Sequence, residues 1–363
     1  MLHTESSNGW GGQEIRILEE SLRFQEKGYR VLLAGTCDSE LGRQAKSVKL
    51  PFYPISFRFC ADPQGILQVR QLISVENVDI VHTHSGKDSW TAGIAAYLSR
   101  VPMVRSRHLS TLVKKHWTSK VIYDKLTRFV IASGEDIRNH LIHRNNIPPG
   151  KVVSVPAGVD LNKFHPDIDE RSFIKEFDLA HFSPLIGVVG VLRSWKGHDC
   201  FLDSIQTLQN QFPRALYMFI GDGPRKTHLM SRIKELNLEK KVLITGHRHD
   251  IPQIMKALDI VVLPSYANEA TSQVLPQALA MSTPVIGTKV GGIPQIIEDG
   301  VTGLLVPPND SEALSQALTW MIEHPEDALQ MARQGRGKLL KGFTFDDQIQ
   351  TTEKVYKTIL KAR

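Results

Sequence analysis

Residues 262–288 read VLPSYANEATSQVLPQALAMSTPVIGT. Val261, Val262 and Leu263 close a short apolar run of buried-strand length, and Pro264 ends it. A loop follows over 265–269, then a helical segment over 272–281 and a second strand over 285–287. This is a strand–loop–helix–strand unit of a parallel α/β sheet. Ligands bind such sheets at the carboxyl ends of strands, where this loop sits. The loop ends in Glu269, beside the small residues Ala270, Thr271 and Ser272. Their N–H groups open the helix, and a helix N-terminus favours an anion such as a diphosphate. A carboxylate beside an anion site suits a ligand with hydroxyls next to phosphates, as nucleotide sugars have. A capped helix with an exposed glutamate gives the same local pattern.

The neighbouring strand tips repeat the theme. An apolar strand over 185–192 ends in Arg193-Ser194-Trp195-Lys196-Gly197, with a helix starting near His198. Two cations there would neutralise a leaving diphosphate; a basic surface turn has the same composition. Strands over 217–220 and 242–245 run into Gly221-Asp222-Gly223-Pro224 and Gly246-His247-Arg248, and Val290-Gly291-Gly292-Ile293-Pro294 follows the strand at 285–287. Helices are expected over 311–323, 326–340 and 346–360.

The first half has the same grammar. A short strand over 2–6 leads through Gly9-Trp10-Gly11-Gly12 into a periodic helix over 13–27. A Gly-rich turn between strand and helix lets a phosphate approach the backbone, though it lacks the dinucleotide spacing. Strands over 79–84 and 102–105 end in His82-Thr83-His84 and Arg105-Ser106-Arg107-His108. No carboxylate or cysteine completes a metal-ligand set with these histidines. Asp167-Ile168-Asp169 is a lone D-x-D in a polar linker and reads as surface.

Composition bounds the rest. The 363 residues suit two domains, and 41% hydrophobic with 23% charged residues is the composition of a soluble globular chain. Cys37, Cys60 and Cys200 form no disulfide framework, so a reducing cytoplasm is expected. No apolar run approaches membrane-span length and no signal-peptide core is visible. Residues 1–167 hold 22 Lys+Arg against 16 Asp+Glu, whereas 168–363 hold 22 of each, so the net +6 lies in the first half. Within 105–128, Arg105, Arg107, Lys114, Lys115, Lys120, Lys125 and Arg128 face only Asp124. Such a patch attracts a phosphorylated ligand or an anionic membrane, and Trp117, Val121, Ile122 and Tyr123 among the lysines add to the membrane reading. No nucleic-acid motif is present, so that partner is not expected.

The order of these motifs resembles retaining glycosyltransferase family 4, with GT-B architecture, of the bacterial lipopolysaccharide and cell-surface glycan type. The residues that carry it are the Gly-Gly loop, the His strand tips, Gly158-Val159-Asp160 with Phe164-His165-Pro166, Lys196-Gly197, Gly221-Asp222-Gly223-Pro224, Glu269 with Gln277-Ala278-Leu279-Ala280-Met281, and Gly291-Gly292-Ile293-Pro294. The resemblance implies two Rossmann-like parallel-sheet domains facing a central cleft: an acceptor domain over 1–167, a nucleotide-sugar donor domain over 168–345, and a terminal helix over 346–363 crossing back to the first. It implies a catalytic set of Glu269, His108, Arg193 and Lys196. Donor contacts would come from Gly11, Gly12, Gly221, Gly246, His247, Thr271, Ser272, Val274, Leu275, Gln277, Gly291 and Gly292. His84, Arg105, Arg107, Lys114 and Lys115 would meet the acceptor. Two family carboxylates are replaced, by Gln277 and Gln295, and a glutamine keeps one acceptor but loses charge-assisted strength. The expected partners are a UDP-type nucleotide-sugar donor, an anionic glycan or glycolipid acceptor and, peripherally, the inner face of the cytoplasmic membrane. No cofactor or metal is expected. A nucleotide-sugar epimerase of the same architecture and a non-catalytic nucleotide-sugar-binding subunit are the two alternatives.

Overall fold

The computed structural model describes residues 1–108, 111–270 and 272–361. Two compact units divide the chain, Met1–Pro156 with Asp346–Arg363, and Ala157–Phe345. The first contains β1 (Leu2–Glu5), α1 (Gly12–Glu26), β2 (Leu32–Gly35), α2 (Glu40–Ser47), β3 (Phe52–Pro54), α3 (Pro63–Val75) and β4 (Val81–Thr83). It continues through α4 (Gly86–Leu98), β5 (Met103–Arg107), α5 (Trp117–Lys120), β6 (Phe129–Ala132), α6 (Glu135–Asn139) and β7 (Val152–Ser154). Its sheet runs β3-β2-β1-β4-β5-β6-β7, parallel at every pairing. β1 has only four residues, all buried, and is completed by pairing on both sides: His3 lies opposite Leu33 of β2 and His82 of β4.

The second unit holds α7 (Arg171–Glu176), β8 (Leu185–Val189), α8 (His198–Leu208), β9 (Leu216–Ile220), α9 (Lys226–Glu235), β10 (Val242–Gly246), α10 (Ile251–Ala257) and β11 (Ile260–Leu263). After these come α11 (Val274–Ala280), β12 (Val285–Thr288), α12 (Ile293–Ile296), β13 (Leu304–Val306), α13 (Ser311–Glu323) and α14 (Pro325–Leu339). Its sheet is ordered β10-β9-β8-β11-β12-β13, again parallel throughout. The strands are apolar on both faces because helices cover both. One core packs Val189, Met218, Ile220, Val261 and Leu263 against Leu275 and Leu279; the other packs Ile186, Tyr217, Phe219 and Val262 against Phe201, Ile205 and Leu318. The order reverses beside β8, so the tips of β8 and β11 flank a switch point, the usual ligand crevice of such sheets.

Three sequence boundaries are corrected. Residues 157–167 belong with the second unit rather than the first: Val159 N–H donates to the Phe343 carbonyl and Phe345 N–H returns to Val159, zipping this segment to the end of the unit. The strand read over 185–192 stops at Val189, because Leu192 N–H turns to the Asp222 carbonyl instead of continuing a ladder. The helix read over 272–281 is shorter, Val274–Ala280, with Ser272 Oγ accepting the Val274 N–H. Between 36 and 77, where the motif order was looser, the chain forms α2, β3 and α3. Ser39 and Asp62 cap the two helices by accepting the N–H of Gly42 and Gln64.

The last helix, α15 (Phe345–Lys361), packs into the first unit. Gln348 donates to Glu20 at 2.6 Å, the Tyr29 hydroxyl donates to Glu353 at 2.7 Å, and the buried Tyr356 hydroxyl meets His82 Nδ1 at 2.6 Å. Among the described residues no helix is long and apolar enough to cross a membrane.

Candidate functional site

In the second unit, the loop after β11 carries Glu269 back toward the tip of β8. Its carboxylate is 5% exposed, and Oε1 accepts from Lys196 Nζ at 2.6 Å and from the Ser265 hydroxyl at 2.7 Å. Lys196 stands on a short 3₁₀ turn over 194–196. The backbone fixes this pair from three sides. Tyr266 N–H donates to the Trp195 carbonyl, Gly292 N–H to the Glu269 carbonyl, and the Thr288 hydroxyl to the Ser265 carbonyl. Gly197 and Gly291 both have positive φ, +72° and +52°. A Cβ on them would stand 1.9 Å from the Pro264 carbonyl oxygen and 1.8 Å from that of Glu269. The tips of β8, β11 and β12 are thus brought together through glycine contacts around one buried ion pair.

Of the residues read from the sequence, Glu269, Lys196, Gly291 and Gly292 meet here. Arg193 does not pair with Glu269: it is exposed and stacks on the Trp195 ring at 5.2 Å. Leu275 is wholly buried and Val274 half-buried at the start of α11, so Leu275 can offer a ligand only its backbone. Gln277 is half-buried one turn on. Thr271 lies outside the described residues. Gly221 and Gly246 form a bridge between the ends of β9 and β10, and the exposed His247 packs edge-on against His249. Asp222 pairs with Lys226 at 3.0 Å. Ser265 was not singled out in the sequence, although its place four residues before Glu269 in the same loop was the available signal.

In the first unit the histidines form one buried chain. His3 Nδ1 lies 3.0 Å from His84 Nε2, His84 Nδ1 3.0 Å from His108 Nε2, and His108 Nδ1 3.2 Å from Ser133 Oγ. His82 is held by Tyr356 and, at 2.8 Å, by Ser106. His84 is therefore not a surface acceptor contact, since both its ring nitrogens are used inside the protein. Among the described residues, ring nitrogens of His3, His82 and His84 approach within 4.8 Å and are the group that could hold a metal, but only by giving up bonds already made to Tyr356, Ser106 or His108. Burial pushes His3 down to about 3 and His82, His84 and His108 well below 6.5. Near β1, burial and the neighbouring Asp88 push Glu5 up to about 7; its carboxylate accepts from Ser7 N–H at 2.7 Å and from the Gln13 and Ser85 side chains.

These shifts set a pH dependence. The four histidines stay neutral when folded but protonate near 6.5 when unfolded, so the unfolded state binds more protons as pH falls. Stability is expected to drop below pH 6.5, by up to about 1.4 kcal/mol per pH unit for each histidine. Glu5 works the other way between about 7 and its unfolded value of 4.5, and the buried Asp88, raised by desolvation, acts in the same direction, but two carboxyls offset only two of the four histidines. Urea midpoints measured at pH 7.5 and 5.0 check this; equal midpoints would mean that the cluster is hydrated or protonated when folded.

The basic stretch divides on folding. Arg105 is buried with its guanidinium 4.4 Å from the Tyr123 ring, and Ile122 and Tyr123 join the interior, so these are not acceptor or membrane contacts. Arg107 is held by the Thr111 carbonyl at 2.7 Å. Lys114 and Lys115 remain exposed, as does Trp117 at 69%. Gly11 caps α1, its N–H donating to Glu14 at 2.9 Å, with the exposed Gly12 beside it. Asp169 of the D-x-D pairs with Arg171 at 2.7 Å on the surface.

Residues 169–338 match the family described as glycosyl transferases group 1, and residues 10–163 match glycosyltransferase family 4. The chain is 28% identical over 327 residues to the UDP-Gal:alpha-D-GlcNAc-diphosphoundecaprenol alpha-1,3-galactosyltransferase of Escherichia coli, covering 85% of this chain and 84% of that one. It is 25% identical to the D-inositol 3-phosphate glycosyltransferase of Mycobacterium marinum, over 86% of this chain and 73% of the relative. Among solved structures, the Anabaena protein HepE in complex with UDP superimposes with a TM-score of 0.88 at 21% identity, over 98% of this chain and 99% of that one.

Proposed function

We propose that this chain, a glycosyltransferase built from one family 4 and one group 1 domain, moves a hexose from a UDP-sugar, with retention, to a lipid-linked or lipopolysaccharide-core glycan. The observation that carries this reading is the Lys196–Glu269 pair at 2.6 Å on the tips of β8 and β11. A buried charge needs a partner. A nucleotide diphosphate sugar supplies one for each: its phosphates replace Glu269 beside Lys196, and its hydroxyls replace Lys196 beside Glu269. The free protein holds the pair together and the donor separates it without leaving either charge bare. UDP as the carrier is supported by the Anabaena neighbour solved with it and by the E. coli relative named for UDP-Gal.

In this mechanism the acceptor attacks on the face from which the diphosphate departs, and a leaving phosphate oxygen takes the acceptor's proton. Lys196 and Arg193 hold the phosphate charge, and Glu269 holds the sugar. Ser272 and Val274 with Gly291 and Gly292 contribute backbone near the phosphates. Gly221, Gly246 and His247 lie toward the base, and Gln277 serves the ribose. His108 remains the catalytic candidate of the first unit, with its Nδ1 3.2 Å from Ser133 Oγ. No metal is called for, since lysine and arginine already neutralise the diphosphate. The acceptor is anionic, in keeping with the basic first half and with the phosphate-bearing acceptors in the names of the E. coli and M. marinum relatives. Arg107, Lys114, Lys115 and the exposed Trp117 would bring the enzyme to the inner face of the cytoplasmic membrane.

Thermal midpoints with UDP, GDP and ADP, each with and without EDTA, test the donor half. UDP at 100 times its Kd is expected to add about 2.7 kcal/mol, unchanged by EDTA. No shift with any nucleotide in the millimolar range would sink the reading. A shift that EDTA removes would overturn its metal independence.

A further inference from the structure

The buried histidines are joined to a cation that no step of the transfer uses. Arg16 of α1 is 4% exposed, and three partners aim its guanidinium. Nε donates to Glu20 Oε1 at 2.9 Å, Nη2 to the Val155 carbonyl at 3.1 Å, and Nη1 to the Ser133 hydroxyl at 3.3 Å. Glu20 is also buried and is held in turn by Gln348 of α15 at 2.6 Å. Ser133 follows β6 and touches His108 Nδ1. Gln348, Glu20, Arg16, Ser133, His108, His84 and His3 thus form one continuous hydrogen-bonded line, all of it within the first unit.

Such a line has two polarities. Burial holds His3, His84 and His108 well below the ordinary histidine value, so the rings are neutral, and a neutral imidazole carries one hydrogen and one lone pair. Each of the two ring-to-ring contacts, both 3.0 Å, therefore needs a donor facing an acceptor. Fixing one ring fixes the others. Either all three bear the hydrogen on Nε2, pointing toward His3, or all three bear it on Nδ1, pointing toward Ser133.

Arg16 favours the first. A guanidinium only donates, so Ser133 Oγ is an acceptor toward it. A hydroxyl that accepts from a cation becomes a stronger donor through its own hydrogen. The positive charge also prefers to face ring lone pairs over ring N–H groups, and it acts on His108 and His84 alike. At the far end His3 Nε2 is buried with no hydrogen-bond partner, so no bond there opposes it. The Met1 amine does act on His3, but it is bonded to the Arg30 carbonyl and burial pushes its own pKa down.

We propose that Arg16 is a positioning residue, which through Ser133 holds His108, His84 and His3 in the Nε2–H form and keeps His108 Nδ1 as a lone pair. This rests on the transferase reading and deepens it: His108 accepts a hydroxyl hydrogen at Nδ1 and cannot give one there. The hydrogen bond made by one ring nitrogen sets the state of the other, and here a guanidinium acting through a serine imposes that state on three rings in series.

Nitrogen-15 NMR of histidine-labelled protein at pH 7.5 tests this, because ring nitrogens with and without a hydrogen are resolved from one another. The His108 signals are assigned by their loss in His108→Asn. In the unaltered protein Nε2 is expected to carry the hydrogen. Arg16→Met combined with Glu20→Gln removes the ion pair without stranding a buried charge, and is expected to populate the Nδ1–H form of His108. UDP release from UDP-galactose, the donor named for the E. coli relative, should then fall at least about tenfold in kcat with KM nearly unchanged. Arg16→Lys, with Glu20 kept, is expected to restore both. Tyr356→Phe is the structural control: it breaks a buried bond to His82, outside the line, so the urea midpoint should drop while the tautomer stays. The Nδ1–H form in the unaltered protein would overturn the proposal even if no Arg16 variant folded. Retention of Nε2–H in the Met/Gln variant, or a changed tautomer with unchanged kcat, would overturn it as well. UDP midpoints on the same samples separate the failures: a normal UDP shift with the wrong tautomer removes this proposal alone, whereas no UDP shift and no UDP release overturn the transferase reading beneath it and, with it, the use assigned to His108.

Discussion

Glu269→Ala is expected to lower sugar transfer about a thousandfold while the protein remains folded. The substitution removes only the carboxylate. The Glu269 carbonyl keeps its bond from Gly292 N–H, so the loop retains its backbone tie to the end of β12. What is lost is the acceptor for Lys196 and Ser265. Lys196 is 19% exposed and can turn toward water, which limits the cost to about 2 kcal/mol, well inside the stability of an ordinary domain. Lys196→Ala is expected to cost more, about 3 kcal/mol, because the carboxylate it strands is the more deeply buried partner. The double substitution Glu269→Ala with Lys196→Ala should then be more stable than the sum of the two single changes predicts. Denaturant midpoints and initial rates on the four proteins decide the matter. Full activity in Glu269→Ala would take this residue out of the site.

Gly291→Ala and Gly197→Ala are each expected to destabilise the second unit by about 3 kcal/mol and to abolish transfer. Both residues combine a left-handed φ with a Cβ position less than 2 Å from a carbonyl oxygen. The obstacle is backbone in both cases, so no rotamer change relieves it. The displaced carbonyls belong to Pro264 and Glu269, and moving either one shifts the carboxylate itself. Gly300→Ala is the control: φ is +74° but nothing stands within 4 Å of the new Cβ, so only the left-handed strain of about 1 kcal/mol is expected. If Gly291→Ala proved no worse than Gly300→Ala, the close approach of the two loops would be of no energetic consequence.

The pattern of apolar runs, glycine turns and amphipathic helices already specified two parallel α/β units. Strand period and helix period are local properties, and they survived folding in nearly every element of the second unit. The motif order also brought Glu269, Lys196, Gly291 and Gly292 into one expected site, and these four do converge. The stretch from 36 to 77 was less legible. β3 there is three residues long, and α2 and α3 are set by caps at Ser39 and Asp62 rather than by long apolar periodicity.

Long-range pairing was beyond the sequence. Arg105 and Tyr123 looked like surface groups in a basic stretch, yet they stack inside the first unit, because a guanidinium can be buried over an aromatic face. His84 looked available at a strand tip, but His3 and His108 are brought to it across the sheet and consume both ring nitrogens. Nothing in a local window connects residues 3, 84 and 108, or Tyr356 with His82. The sequence by itself determined the α/β class, the strand tips that carry polar residues and the identity of the carboxylate at the loop after β11. Tertiary structure alone decided which cation meets that carboxylate, Lys196 rather than Arg193, and which histidines are spent inside the fold. Those outcomes depend on how strands distant in sequence come to lie side by side, and residue spacing along the chain carries no measure of that distance.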